Sequence, residues 1–132
     1  MKAMGALLMS LALLGCSAKS GSSAIDYDKV EVPVAQLSSD EARARGRTLF
    51  KAKCSLCHGE RADGRGVRSN ALSGKPVNFG SSEWRSNTTA IAVFEVLSEG
   101  ARGTSMPAWP TLSDGQKWDL VAYVLSVAED GP

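Results

Sequence analysis

The chain has 132 residues, of which 43% are hydrophobic, 22% charged and only 6% aromatic, so it has room for one small globular domain with a thin apolar core and little else. Fifteen Lys and Arg stand against fourteen Asp and Glu, and eleven of the basic residues fall between positions 42 and 111 with only five acids among them. They are not interleaved with stacking aromatics, which excludes a nucleic-acid role and implies a partner with an acidic docking surface.

Met1 to Gly15 carries Lys2 and then the apolar run Ala6 to Leu14. This pattern predicts a signal peptide over residues 1–15, since a membrane span requires about 20 apolar residues. The junction Leu13-Leu14-Gly15-Cys16 resembles the bacterial lipoprotein box, in which Cys16 becomes the lipidated amino terminus. The other reading of this stretch is an ordinary cleaved signal with an incidental cysteine. Without residues 1–15 the chain has fourteen basic and fourteen acidic side chains and is formally neutral.

Ser17 to Ala24 is small and polar, the composition of a flexible tether. Ile25 to Leu37, with alternating apolar residues and Pro33, predicts an extended arm, so that residues 16–37 form the lipidated tether and arm and 38–132 the domain proper. Ser38 and Glu41 have the spacing of a capping box and open a helix running to about Lys53. Ala42, Gly46, Leu49 and Phe50 line its apolar face. Glycine inside a helix costs about 1 kcal/mol relative to alanine, so Gly46 points to the close approach of another helix.

Next comes Cys54-Ser55-Leu56-Cys57-His58, a CxxCH sequence. The spacing suits covalent haem attachment: two thiols one helical turn apart each add to a vinyl group, and the adjoining imidazole lies beneath the iron. A thioredoxin-like dithiol and a zinc half-site are the rival readings. Gly59 to Gly66 reads as turn chemistry, because no strand precedes it and no GK[ST] follows for a phosphate loop. Residues 67–87 are expected to be irregular, with Pro76, Phe79 and Trp84 able to wrap a ligand. Thr88 to Glu99 predicts a second helix, capped by Asn87 or Thr88 and ended by Gly100, with Ile91, Phe94 and Leu97 in a stripe beside Val93 and Val96. Gly103 to Pro110 is a loop stiffened by two prolines. A second capping box, Ser113 to Gln116, opens a last helix to about Val127, whose two apolar stripes (Leu120, Tyr123, Val124, Val127 and Trp118, Val121, Ala122, Leu125) imply burial on two sides.

The rivals lack residues. A thioredoxin-like role needs alternating strands and helices, and structural zinc needs a fourth ligand beyond Cys54, Cys57 and His58. Assigning Cys16 to lipid and the other two cysteines to haem leaves no unpaired thiol. The single histidine leaves no Ser/His/Asp arrangement, and the chain is read as an electron-transfer protein rather than an enzyme.

Gly46, Phe50, the CxxCH sequence, Met106-Pro107 and Leu120-Val121-Ala122-Tyr123 occur in the order seen in small monohaem class I cytochromes c, and residues 39 to 128 resemble that family. The resemblance implies an all-α fold in which the first and last helices cross around a covalently bound haem c, with Gly46, Phe50, Leu120 and Tyr123 at the crossing. It also implies His58 and Met106 as axial ligands. Elimination agrees: His58 is the only histidine, and Met1, Met4 and Met9 leave with the signal. His/Met ligation keeps the iron six-coordinate and raises its potential relative to two imidazoles. Trp84, Arg68, Asn78 and Trp109 are candidate haem contacts, and the carbonyl of Pro76 is the expected acceptor for the second nitrogen of His58. Lys51, Lys53, Arg61 and Arg65 lie near the attachment motif and would steer it toward an acidic partner. The expected function is a one-electron carrier, lipid-tethered to a bacterial envelope membrane with its haem domain in the periplasm or otherwise outside the cytoplasmic membrane. The alternative is a permanent haem subunit of a dehydrogenase or other redox enzyme.

Overall fold

A computed structural model of the chain describes residues 24–127. The predicted signal peptide, Cys16 and most of the tether lie outside these residues. Among them the architecture is all-α, with segments α1 (Val34–Leu37), α2 (Asp40–Lys53), α3 (Ser55–His58), α4 (Ser82–Ser86), α5 (Ala90–Glu99) and α6 (Asp114–Val127), and no strand. This is the all-α architecture that the sequence implied.

Three helix starts show how local chemistry sets the boundaries. Ser39, not Ser38, caps α2 by accepting the amide of Ala42 at 3.3 Å. Ser38 is instead consumed in closing α1, where its amide and hydroxyl both reach the carbonyl of Val34. Thr89 likewise replaces the expected Asn87 or Thr88 as the cap of α5, accepting from Ala92 at 3.1 Å. Asn87 is occupied at the end of α4, donating through its side chain to the carbonyl of Glu83 at 2.8 Å. At α6 the capping box is complete: Ser113 Oγ accepts from the Gln116 amide and Gln116 Oε1 accepts from the Ser113 amide.

The arm departs from the extended form expected of it. A 3-10 turn at Tyr27–Lys29 and the single turn of α1 fold it onto the domain. The Tyr27 hydroxyl donates to Glu99 at 2.9 Å, and Gln36 Nε2 donates to the carbonyl of Gly115 and to Asp119 Oδ1. Residues 67–87 are also less irregular than expected, holding a 3-10 turn at Ser69–Ala71 and α4, which Ser81 caps.

The principal helix contact is α2 on α6. A Cβ on Gly46 would run into the carbonyl oxygen of Asp119 and come within 2.9 Å of the Tyr123 Cβ, so only glycine permits this approach. Phe50 and Leu120 are buried there to 1% and 2% exposure, and the Phe50 and Tyr123 rings meet edge-on at 5.2 Å. Burying a side chain of that size contributes about 1.5–3 kcal/mol. Beside the apolar contact, Arg45 donates twice to Asp119, Nε to Oδ2 and a terminal nitrogen to Oδ1, both at 2.8 Å. With Gln36 on the same carboxylate, Asp119 joins arm, α2 and α6. Farther round, α5 packs on α6 through Phe94 stacked against Trp118 at 4.3 Å. The Ile91, Phe94, Leu97 stripe expected on α5 therefore faces the core through Phe94 and Leu97.

Candidate functional site

The end of α2 delivers the CxxCH motif. The Cys54 amide still bonds back to Phe50, and the carbonyl of Cys54 then accepts the amides of Cys57 and His58 at 3.1 and 2.9 Å. That single turn, α3, places the two sulfurs three residues apart with His58 immediately beyond them. A helix this short leaves its last carbonyls without partners of its own. The glycine-rich loop supplies them: the amides of Gly64, Gly66 and Arg68 donate to the carbonyls of His58, Cys57 and Leu56 at 2.8, 3.1 and 2.9 Å. A Cβ on Gly66 would collide with the carbonyls of Leu56 and Cys57, so the close approach requires glycine. What the sequence read as turn chemistry is the cap of the attachment motif.

His58 is buried, and its Nδ1 lies 3.3 Å from the carbonyl oxygen of Val77. A carbonyl only accepts, so Nδ1 carries the proton and Nε2 keeps its lone pair. The partner is one residue beyond the expected Pro76. Burial pushes the imidazole below its ordinary pKa and outweighs the opposing bond to Val77, so the ring is neutral at pH 7. Phe79 sits beside it, ring centroids 4.9 Å apart, held by its amide on the carbonyl of Ala62 and by the edge-on Trp84 at 4.8 Å. Burial, with the neighbouring Cys57, pushes the Cys54 thiol up to about 11 against the pull of Lys53. A redox dithiol needs a depressed thiol pKa, so this environment disfavours the thioredoxin-like reading.

These residues open on a cavity with two lobes. One spans about 670 Å³ between Phe50, Phe79, Trp84, Leu97, Leu120 and Val124. The other spans about 720 Å³ and is lined by Lys53, Cys57, Lys75, Pro76, Thr104 and Trp109. Cys54, His58, Val77 and Met106 line both and form the seam. Apolar walls, a thiol, a neutral imidazole and a thioether along one seam, with the second thiol of Cys57 in the adjoining lobe, fit a haem. Trp109 Nε1 also fits a ligand in the second lobe, being buried without a hydrogen-bond partner among the described residues.

The sequence-predicted contacts divide. Trp84 and Trp109 each line a lobe, whereas Arg68 and Asn78 line neither. Arg68 is exposed, and the Asn78 side chain accepts the amide of Gly80 at 3.0 Å. Sequence reasoning missed Val77 and the lining role of Thr88, Ala92, Val93 and Val96. The valines had a signal, for an α5 apolar on a second face implies a second buried surface.

The family model described as cytochrome c oxidase, cbb3-type, subunit III matches residues 41–124. The chain belongs to this cytochrome c family. Among curated proteins it is similar to a thiosulfate dehydrogenase of Stutzerimonas stutzeri (strain A1501), 32% identical over 103 residues, which are 73% of this chain and 30% of that protein. Among solved structures it resembles a chain of the Kuenenia stuttgartiensis reducing HAO-like protein complex Kustc0457/Kustc0458. That match has a TM-score of 0.64 and 25% identity, and covers 74% of this chain and 49% of the other. The chain thus spans about a third of the curated relative and half of the structural one. A cytochrome c domain is an electron-transfer module, and its cofactor is covalently bound haem c.

Proposed function

We propose that this cytochrome c domain is a one-electron carrier with a single haem c held by thioethers to Cys54 and Cys57 and ligated axially by His58 and Met106. The observation that carries this reading is the seam at which Cys54, His58 and Met106 line both lobes of one apolar cavity. When bound, haem supplies the reversible ferrous–ferric couple. The chain's own residues do the rest. Val77 holds the His58 ring by its Nδ1 proton, while Phe50, Leu120 and Val124 keep water from the apolar lobe. The backbone of Met106 is tied on both sides, its amide to Thr104 Oγ1 and its carbonyl to the Ala101 amide, each at 3.1 Å. With His58 and Met106 both holding the iron, no position would remain on it for a substrate, which favours a carrier over a catalyst. Trp84 and Trp109 are the supported candidates for further haem contacts.

A redox titration followed by visible absorption tests the ligand set: a far-red band in the ferric protein, the mark of a Met ligand in this family, and a relatively high potential are expected. Absence of that band would falsify Met106 ligation. Lys51, Lys53, Arg61 and Arg65 are exposed around the attachment motif, beside the exposed apolar side chains of Leu56 and Val67. This surface suits brief contact with an acidic redox partner. We place the chain in the bacterial envelope, exported by residues 1–15 and tethered through lipid on Cys16, where it shuttles electrons between respiratory partners. Among the described residues no helix is long and apolar enough to cross a membrane. Mass spectrometry of the mature amino terminus tests the lipid.

A second reading has support in the relatives, each longer than this chain and one of them a thiosulfate dehydrogenase. In it the domain is a permanent subunit of a redox enzyme. Association that dissolves at moderate salt supports the shuttle, and association that survives supports the subunit.

A further inference from the structure

The loop that carries Met106 is held from two directions. On one side it is built onto the end of α5: the Ala101 carbonyl accepts the Thr104 amide and hydroxyl, and the Trp109 amide reaches back to the carbonyl of Leu97 at 2.9 Å. These contacts, with the two on Met106 itself, make residues 101–106 a self-contained unit. Its orientation toward the cavity depends on what it touches beyond itself. There the loop meets the segment after the Ser69–Ala71 turn. The Ser105 amide donates to the carbonyl of Ser73 at 2.9 Å, and the Ser73 amide donates to Ser105 Oγ, also at 2.9 Å. Ser73 Oγ completes the contact on the carbonyl of Gly103 at 3.3 Å. Both segments line the second lobe beside Met106.

We propose that the reciprocal Ser73–Ser105 pairing is a clasp that positions Met106, and that the Ser105 hydroxyl sets how readily the Met106 thioether yields its place to an external ligand. The inference rests on the ligand reading above. Ser105 touches no reacting atom and is a positioning residue. The physical basis is that α5 holds the two ends of the loop, at Ala101 and through the Trp109 amide on Leu97, but not its exposed tip, so without the clasp the tip at residues 102–105, on which the Met106 amide hangs through Thr104, can move while both ends stay attached. The clasp lies at the surface, where water competes for each hydrogen bond. Its contribution is therefore that of an ordinary exposed pair, too small to govern folding and large enough to shift a local opening equilibrium.

The test uses the haem-loaded protein and imidazole as the displacing probe. Ser105→Ala leaves the Ser73 amide without its acceptor, while Ser105→Thr keeps a hydroxyl and is the rescue variant. Imidazole affinity of the ferric protein should rise about threefold to tenfold in S105A, the effect of losing one hydrogen bond from the closed state, and return toward the wild-type value in S105T. Ser73→Ala, which removes only the bond to Gly103, should move in the same direction by less. Thermal unfolding midpoints should stay close to wild type in all three. A wild-type protein without the far-red band overturns the Met106 reading and this one with it. A wild type with the band, together with S105A that binds imidazole no better, overturns the clasp alone. A rise in affinity that S105T fails to reverse also counts against the hydroxyl.

Discussion

The α2–α6 crossing and the loop bearing Met106 both wall the two-lobed cavity, yet they keep their shape by different means. At the crossing Phe50 and Leu120 are buried and Gly46 lets two backbones touch, so its order comes from packing in a region closed to water. Residues 102–105 of the loop are exposed, and the loop holds together by short-range hydrogen bonds around Thr104. One region is therefore coupled to global stability. The other belongs to the part of the fold that opens locally at little cost. The ligation proposed above would use both, with His58 on a rigid frame and Met106 on a loop.

The largest effect should come from putting a side chain into the crossing. Gly46→Val is expected to lose more than about 3 kcal/mol of stability, through overpacking against the Asp119 backbone, and chemical denaturation of the haem-loaded protein checks it. Met106→Ala should abolish the far-red band and lower the reduction potential while changing denaturation less than Gly46→Val does. Equal destabilisation by the two would erase the distinction between the regions.

A third, smaller effect concerns Asp119. Burial pushes its carboxyl up, but the hydrogen bonds from Arg45 and Gln36 outweigh burial and hold it below the usual aspartate range. A folded-state pKa that is depressed contributes stability above the unfolded value, and the contribution is lost as pH falls through the folded one. Asp119→Asn should therefore cost about 1–2 kcal/mol at pH 7, an allowance that discounts for the exposed Arg45, and flatten the loss of stability below about pH 4. The smallest effect on stability, within about 0.5 kcal/mol, is expected for Arg61→Glu with Arg65→Glu at the exposed rim. Stopped-flow oxidation by an acidic partner should nevertheless slow, and its rate should depend less steeply on salt.

The same contrast explains what could be read in advance. The attachment motif, the single histidine and Gly46 were legible because each rests on covalent chemistry or on a glycine where a helix argues against one. The Val77 carbonyl was not, since the direction of a backbone carbonyl follows from the path of the whole loop and not from its own side chain. The caps of α2 and α5 were misplaced by one or two residues where runs of Ser, Thr and Asn offer several candidates, and the structure shows the extra ones closing the preceding helices. The arm was misread for a tertiary reason: its turns are fixed by Glu99, Gly115 and Asp119, residues 72 to 83 positions away.

That arm also decides how the molecule bears a mechanical load. A pull on the chain at residue 24 meets first the exposed hydrogen bond from Tyr27 to Glu99 and then Gln36 on Asp119. From Asp119 the force passes through Arg45 into α2 and along α6, the pair locked at Gly46. Tyr27 hands the first of the load to Glu99 at the foot of the Met106 loop, but once that exposed bond gives way the path through Gln36 bypasses the Ser73–Ser105 contact, and further tension falls on the α2–α6 pair.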